Sequence, residues 1–317
     1  MAELSVAALR GRLDIEGLHP LTGGASSLTY AGRLAGWQVV VKVAPAGVEP
    51  IGHRDVLRQC RIIKALAATP VPVPRVLLED PGDPPEVPPL FVMSRVEGTS
   101  VEPLFDLDGR GVSDRLITDR FRHAAEIMTQ LHRIRPADIG LAAEPVIGPE
   151  AEIDRWCRTL ETVDPALAPG WPDVRDALRA ALPAPLRPTL IHGDFRLGNL
   201  LAVGDRITAV IDWEIWSVGD PRVDVGWFLI NSDPQTYRRA TRDVGVTPAE
   251  LAAVYQSALG YSVPDLDWFQ ALACFKSVAT WALIVKHNRR RPRPDAELEA
   301  MSKTLPHLLS RARELLG

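Results

Sequence analysis

The sequence predicts an α+β protein in two lobes: a small N-terminal lobe of strands with one main helix over residues 1–97, and a larger, mostly helical lobe over residues 98–317. Three observations lead there. The texture from Gly23 to about Arg95 is strand-like with one helix inserted. After Gly98, long amphipathic segments take over. Within that helical part, three short apolar runs, LRPTLIHGD, NLLAV and ITAVIDWE, carry charged or amide residues at their ends.

The elements follow in order. LTGGASSLTYAGRL and GWQVVVKVA read as two strands joined by a tight glycine-containing turn, with a glycine-rich turn before them, because Tyr30 and the run from Val39 to Val43 favour pleated structure. HRDVLRQCRIIKALAAT places Val56, Cys60, Ile63 and Ala67 at helical spacing. VPRVLLED and LFVMSRV are further strands, and the proline-rich DPGDPPEVPP between them is an exposed connection. RFRHAAEIMTQLHRI, EAEIDRWCRTLETV, WPDVRDALRAAL and two long segments beyond Pro264 are helices. In the first of those two, Trp268, Leu272, Phe275, Ala279 and Ala282 form a core stripe. The three apolar runs form a small sheet buried among these helices. HNRRRPRP is a solvated loop, since acidic DAELEA follows it and prolines break it.

Composition narrows the function classes. With 46% apolar and 24% charged residues over 317 positions, the chain is globular with room for a sizeable core, and neither disordered nor fibrous. A net charge of −4 lacks the basic footprint of a non-specific nucleic-acid binder. MAELSVAALRGRLDIEG shows no export signal, and stretches such as WALIV are too short to span a bilayer, so no membrane partner is expected. Cys60, Cys157 and Cys274 are scattered and odd in number, which places the chain in a reducing, cytoplasmic setting.

HGDFRLGNLLAVGDRITAVIDWE, residues 192–214, carries the chemistry. Asp194, Asn199 and Asp212 stand at the edges of apolar runs. A carboxylate and a carboxamide oxygen on neighbouring strand ends are hard ligands suited to Mg2+, which takes one or two carboxylates plus phosphate oxygens. Asp194 is then free for a hydroxyl, the division of labour that phosphoryl transfer requires. The spacing D-x-x-x-x-N, with a histidine two residues before the aspartate, parallels the protein-kinase catalytic loop, glycine replacing arginine. His192 and Gly193 shape the loop. Asp220 and Asp224 in GDPRVD read as helix-start residues, Asp220 as the cap with Pro221 at the first helical position.

HGDFRLGN, IDWE and GDPRVDVGW together resemble the catalytic and metal-binding segments of the aminoglycoside phosphotransferase and choline kinase-like superfamily. LTGGASSLTY is similar to that family's phosphate-covering hairpin, VVVKVA to its nucleotide-lysine strand and FVMSRVEG to its hinge, in the family's order. The resemblance implies a two-lobed protein-kinase-like fold with an antiparallel N-terminal sheet, with ATP and Mg2+ as cofactors and the interlobe cleft as the site. It implies Asp194 as catalytic base and Asn199 and Asp212 as magnesium ligands. Lys42 would hold the α and β phosphates, Met93, Ser94 and Val96 would lie along the adenine edge, and Ser26 and Ser27 would sit over the phosphates. The family's helix glutamate is matched here by Gln59, which can accept from Lys42 but loses the charge-assisted part of the bond; Asp55, one turn earlier, is a substitute partner.

For the acceptor, the segment from Pro264 to Arg293 leans basic, with Lys276, Lys286, Arg289, Arg290, Arg291 and Arg293 against Asp265 and Asp267. Arg196 adds positive charge two residues past the base and counts with the catalytic set. HGDFRLGN with that arginine resembles the kinase-like domains found beside acyl-CoA dehydrogenases, which implies a hydroxy acid or hydroxyacyl thioester acceptor. Glu214 and Lys276 are the acceptor-facing candidates. The alternative is an aminoglycoside or amino alcohol met by Glu214 and Asp224. Other classes are a nucleotide-binding pseudokinase, suggested by Gln59, and a two-metal phosphoesterase, for which the later histidines are too few. The expected partners are ATP and a small hydroxylated molecule, in a monomer or homodimer.

Overall fold

The computed structural model describes residues 9, 11–21, 27–105, 111–237 and 245–317. Its strands are β1 (Glu16–Pro20), β2 (Leu28–Leu34), β3 (Trp37–Val43), β4 (Val76–Asp80), β5 (Leu90–Ser94), β6 (Val146–Ile147), β7 (Thr189–Ile191), β8 (Leu200–Val203), β9 (Arg206–Val210) and β10 (Ser217–Gly219). The helices are α1 (Val56–Leu66), α2 (Asp114–Arg133), α3 (Pro149–Leu160), α4 (Trp171–Ala180), α5 (Arg222–Ser232), α6 (Pro248–Leu259), α7 (Leu266–Asn288), α8 (Ala296–Ala300) and α9 (Leu305–Leu316). Two compact units emerge. One holds Met1–Ser100, Ile139–Leu141 and Asn199–Trp216, the other Val101–Asp138, Ala142–Gly198 and Ser217–Gly317. The segment from Asn199 to Trp216, far along the chain, thus returns to the first unit.

In the first unit a five-stranded antiparallel sheet runs β1-β2-β3-β5-β4. Ala35 and Gly36, with φ of 48° and 84°, give the β2–β3 hairpin the left-handed pair of central residues that matches strand twist. The strand period of two then sorts β3. Val39, Val41 and Val43 are fully buried with Tyr30, Leu90 and Val92, while Lys42 points to the opposite face beside Phe91 of β5. That face is packed by α1, whose Val56, Cys60 and Ile63 are buried as the periodicity predicts, together with Gln59; Ala67, the last residue of that spacing, is the exposed C-cap. Asp55 caps α1 by accepting the Arg58 N–H at 3.0 Å, so it is not the substitute partner of Lys42; its carboxylate is spent on the helix end.

The three apolar runs do not form one sheet. β8 and β9 pair as a two-stranded hairpin of the first unit, pinned where Thr99 bridges Ala202 and Thr208 Oγ1 donates to the Glu97 carbonyl. A side chain on Gly98 would meet Ala202 N at 2.8 Å, so this approach requires glycine. β7 belongs instead to the second unit, in the sheet β6-β10-β7. Short runs alike in composition were separated by the turns between them.

The second unit is built around α7. Trp268, Leu272, Phe275, Ala279 and Ala282 are buried as expected, among residues of α3, α5 and α9. At 23 residues and a mean hydropathy of 1.4, α7 passes a length-and-composition test for a membrane span, but 78% of that window is buried inside the protein, which identifies it as a core helix. Every residue of α5 is buried, and its Gly226 lies against the α7 backbone. A Cβ there would sit 2.5 Å from the Phe269 carbonyl carbon. Gly226→Ala is therefore expected to destabilise the fold by about 1–3 kcal/mol through overpacking, read as a lowered denaturation midpoint. Unchanged stability would mean that the helices can part without cost.

Candidate active site

In the second unit the turn after β7 is fixed from below by Asp224 of α5. That fully buried carboxylate accepts the His192 N–H at 2.7 Å through one oxygen and the Gly193 N–H at 2.8 Å through the other. His132 Nε2 lies 3.3 Å from the first of these oxygens, and its Nδ1 is 2.7 Å from the Tyr255 hydroxyl. Asp224 does lie in the first turn of α5, but its charge serves the loop and not the helix end, and its burial removes it from any acceptor surface. Gly193 has φ +85°, a conformation that costs other residues, and His192 Nδ1 accepts the Asp194 N–H at 3.1 Å. Both residues thus shape the turn, as expected.

Asp194, partly exposed, is held by donors. Trp227 Nε1–H donates to its Oδ1 at 2.7 Å, and Arg196 Nε–H lies 3.2 and 3.4 Å from its two oxygens. Arg196 also donates to Glu102. Burial works against the Arg196 charge, but Asp194 and Glu102 together hold its pKa above the ordinary arginine range. Its charge is therefore matched within the protein. A Cβ on Gly198 would lie 2.7 Å from Glu102 Oε2, so this glycine leaves room for the Arg196–Glu102 pair.

In the first unit the Lys42 ammonium donates to Asp212 Oδ1 at 2.9 Å and to Gln59 Oε1 at 3.1 Å. Gln59 thus occupies the position the motif match gave it. Its buried Nε2 has no hydrogen-bond partner among the described residues, an unmet donor in a small cavity lined by Lys42, Ile63, Met93 and Asp212. Asp212 adopts φ +66°, a left-handed conformation that aspartate tolerates better than most residues. The Ile211 N–H donates to the Asn199 carbonyl at 2.9 Å, so Asn199 and Asp212 leave the same end of the β8–β9 hairpin. Among the described residues no group of three or more His, Cys, Asp or Glu side chains could hold a metal; the hard-oxygen pair Asn199 and Asp212 suits a cation that also takes ligands from phosphate.

The remaining expected residues are scattered. Ser27 is buried just before β2, and Ser26 lies outside the described residues. Ser94 ends β5, its hydroxyl accepting the Arg75 N–H at 3.0 Å; Arg95 N–H still reaches the Gln38 carbonyl, and Val96 lies beyond the ladder. Glu214 is half-buried. Lys276 is buried in α7, where it donates to the Gly193 carbonyl. The other basic residues of that segment do not share its surroundings. Lys286 donates to the Thr162 carbonyl and Arg289 pairs with Glu299, while Arg290, Arg291 and Arg293 are exposed past the helix end. The basic lean reflects cations gathered at a helix C-terminus, where the dipole favours them, and not a charged lining.

Sequence reasoning assigned no role to Trp227 or Glu102. Trp227 ends the quoted GDPRVDVGW and sits one helical turn after Asp224, a spacing that puts both on one face of α5; Glu102 is a lone acid in the apolar stretch SVEPLF.

Comparisons with known proteins bear on family and fold. A model of the phosphotransferase enzyme family matches residues 17–272. Mouse (Mus musculus) acyl-CoA dehydrogenase family member 10 is 27% identical over 280 residues, covering 81% of this chain and 25% of the relative; the chain thus spans about a quarter of that protein's length. Among solved structures, a Ralstonia eutropha protein superposes with a TM-score of 0.75 at 20% identity, covering 98% of this chain and 96% of the other. Aminoglycoside phosphotransferase APH(4)-Ia, in a ternary complex with ADP and hygromycin B, superposes with a TM-score of 0.63 at 17% identity, covering 97% and 96%. The fold is protein-kinase-like, and the chain belongs to the phosphotransferase enzyme family.

Proposed function

We propose that this chain transfers the γ-phosphoryl group of ATP, with Mg2+, to a hydroxyl of a small acceptor. The observation that carries the reading is the Lys42–Asp212 pair at the hairpin end that also bears Asn199. It joins a cation for phosphates to two hard-oxygen donors, and it gives Lys42 the charged partner that Gln59 does not supply, which favours an active kinase over a pseudokinase. Asn199 and Asp212 would hold magnesium. When bound, the ion supplies neutralisation of phosphate charge. Lys42 would hold the α and β phosphates and Ser27 would lie over them, with the motif's Ser26 outside the described residues, and the backbone at Met93, Ser94 and Val96 would meet the adenine edge.

Asp194, fixed by Trp227 and Arg196, accepts the acceptor's hydroxyl proton as its oxygen bonds to the γ phosphorus and the bond to ADP breaks. Arg196 orients Asp194, since its own charge is matched by Asp194 and Glu102. The anionic acceptor, a hydroxy acid or hydroxyacyl thioester, is supported by the acyl-CoA dehydrogenase relative, with half-buried Glu214 as the acceptor-side candidate; an aminoglycoside is the alternative supported by the hygromycin complex. Three free, buried cysteines fit a reducing cytoplasmic setting, and a monomer or homodimer fits a site carried by one chain.

The test is ADP release from ATP across hydroxy acids, hydroxyacyl thioesters and aminoglycosides, with and without magnesium. Release is expected to need magnesium and to rise with one acceptor class. Asp212→Asn keeps the side-chain shape and the left-handed backbone, and is expected to cost more than the about 10–100-fold that loss of a supporting partner costs at a metal site. No ADP release with any acceptor, or release indifferent to a chelator, would sink the proposal.

A further inference from the structure

Lys276 sits in the middle of the core helix α7 and is 5% exposed. A lysine so placed is costly unless something near it uses the charge. Among the described residues no carboxylate lies within ion-pair distance of its ammonium. Its surroundings are instead the Gly193 carbonyl, to which it donates, and two indole faces: Trp227, with the ring centroid 3.7 Å from Nζ, and Trp156, at 5.6 Å. Gly193 immediately precedes Asp194, and the same Trp227 donates its Nε1–H to Asp194. One ammonium therefore touches two of the supports of Asp194, the backbone before it and the ring that donates to it, while Arg196 holds the carboxylate separately. A cation on the face of an indole draws electron density from the ring and strengthens its edge N–H as a donor.

We propose that Lys276 is a positioning residue for the Gly193–Asp194 turn, tying the Gly193 carbonyl and polarising the Trp227 indole that holds Asp194. The inference rests on the reading of Asp194 as the base, and it gives Lys276 a role on the protein side of the site instead of at the acceptor. The charged form does this work, because the neutral amine loses the cation–π attraction and about half the strength of its bond to the carbonyl. Burial pushes the Lys276 pKa down to about 8, with Asp194, Glu152 and Asp224 favouring the charge and Arg155 opposing it. The support is thus complete below about pH 8 and weakens as pH rises through that value.

Two measurements on the whole chain test this. The first needs no substrate. The Trp227 indole 15N–1H resonance, identified by its loss in Trp227→Phe, is expected to move with pH around a midpoint near 8 in the wild type, and to stop doing so in Lys276→Met. In the second, Lys276→Met is expected to lower kcat by about 10–100-fold with KM for ATP unchanged. Lys276→Arg, which keeps a charge at all accessible pH, should recover part of the rate and move the alkaline limb of the profile upward. Lys276→Gln serves if the methionine variant does not fold.

A pH transition at Trp227 that persists in Lys276→Met overturns the proposal. So does a Lys276→Met enzyme with wild-type kcat and pH profile while Asp194→Asn is inactive. Activity retained by Asp194→Asn overturns the base assignment instead, and the Trp227 titration alone then decides for or against Lys276.

Discussion

Asp194→Asn is expected to lower kcat by about 10²–10⁴-fold while nucleotide affinity stays within a few-fold of wild type. The substitution keeps the side-chain shape but removes one of the two negative charges that face Arg196. The asparagine oxygen can take the Oδ1 position, where the Trp227 and Arg196 donors converge, leaving the amide nitrogen at the Oδ2 position. What is lost is the capacity to receive a proton. Steady-state kinetics with the active acceptor, together with calorimetric titration of nucleotide, separate this from misfolding. A loss below about tenfold would place the base elsewhere and leave Asp194 as a loop anchor.

The second large effect falls on a residue that touches no substrate. Asp224 receives three donors on two oxygens: the His192 and Gly193 N–H groups and His132 Nε2. Asparagine keeps one acceptor oxygen and turns the other position into a donor facing a donor, in a place with no solvent to absorb the mismatch. Asp224→Asn is expected to cost about 3–5 kcal/mol in stability, the range for breaking a buried charged network, with activity falling as the turn before Asp194 loosens. Chemical denaturation measures the first and kcat the second. A variant with wild-type stability would show that Asp224 is replaceable by other partners.

The sequence disclosed the elements whose signals are local. The β2–β3 hairpin, the α1 stripe and the α7 core stripe each depend on spacing within a short stretch of chain, and each stands where it was expected. The motif residues Asp194, Asn199, Asp212 and Lys42 were legible because a chemistry with few solutions fixes both residue type and order. What escaped was pairing across long separations. Lys42 and Asp212 are 170 residues apart, Arg196 and Glu102 94 apart, and Lys276 and Gly193 83 apart, so nothing in a local window joins them. For the same reason the three apolar runs looked like one sheet although their strands belong to two. Asp224 stands in the first turn of its helix as read, and that sufficient local explanation hides the distant N–H groups it satisfies.

The left-handed backbone at Asp212 has a bearing on how this position can vary. Glycine, asparagine and aspartate are the residues that enter that conformation at little expense. Lys42 adds a separate condition, since a carboxylate there gives its ammonium the charge-assisted bond that a neutral amide such as Gln59 does not. Glycine fails the second condition, asparagine fails it by a single atom, and glutamate, which has the charge, fails the first. Aspartate alone satisfies both, so the position has no neutral neighbour in sequence space, and any drift from it must pass through a variant defective in either backbone or charge.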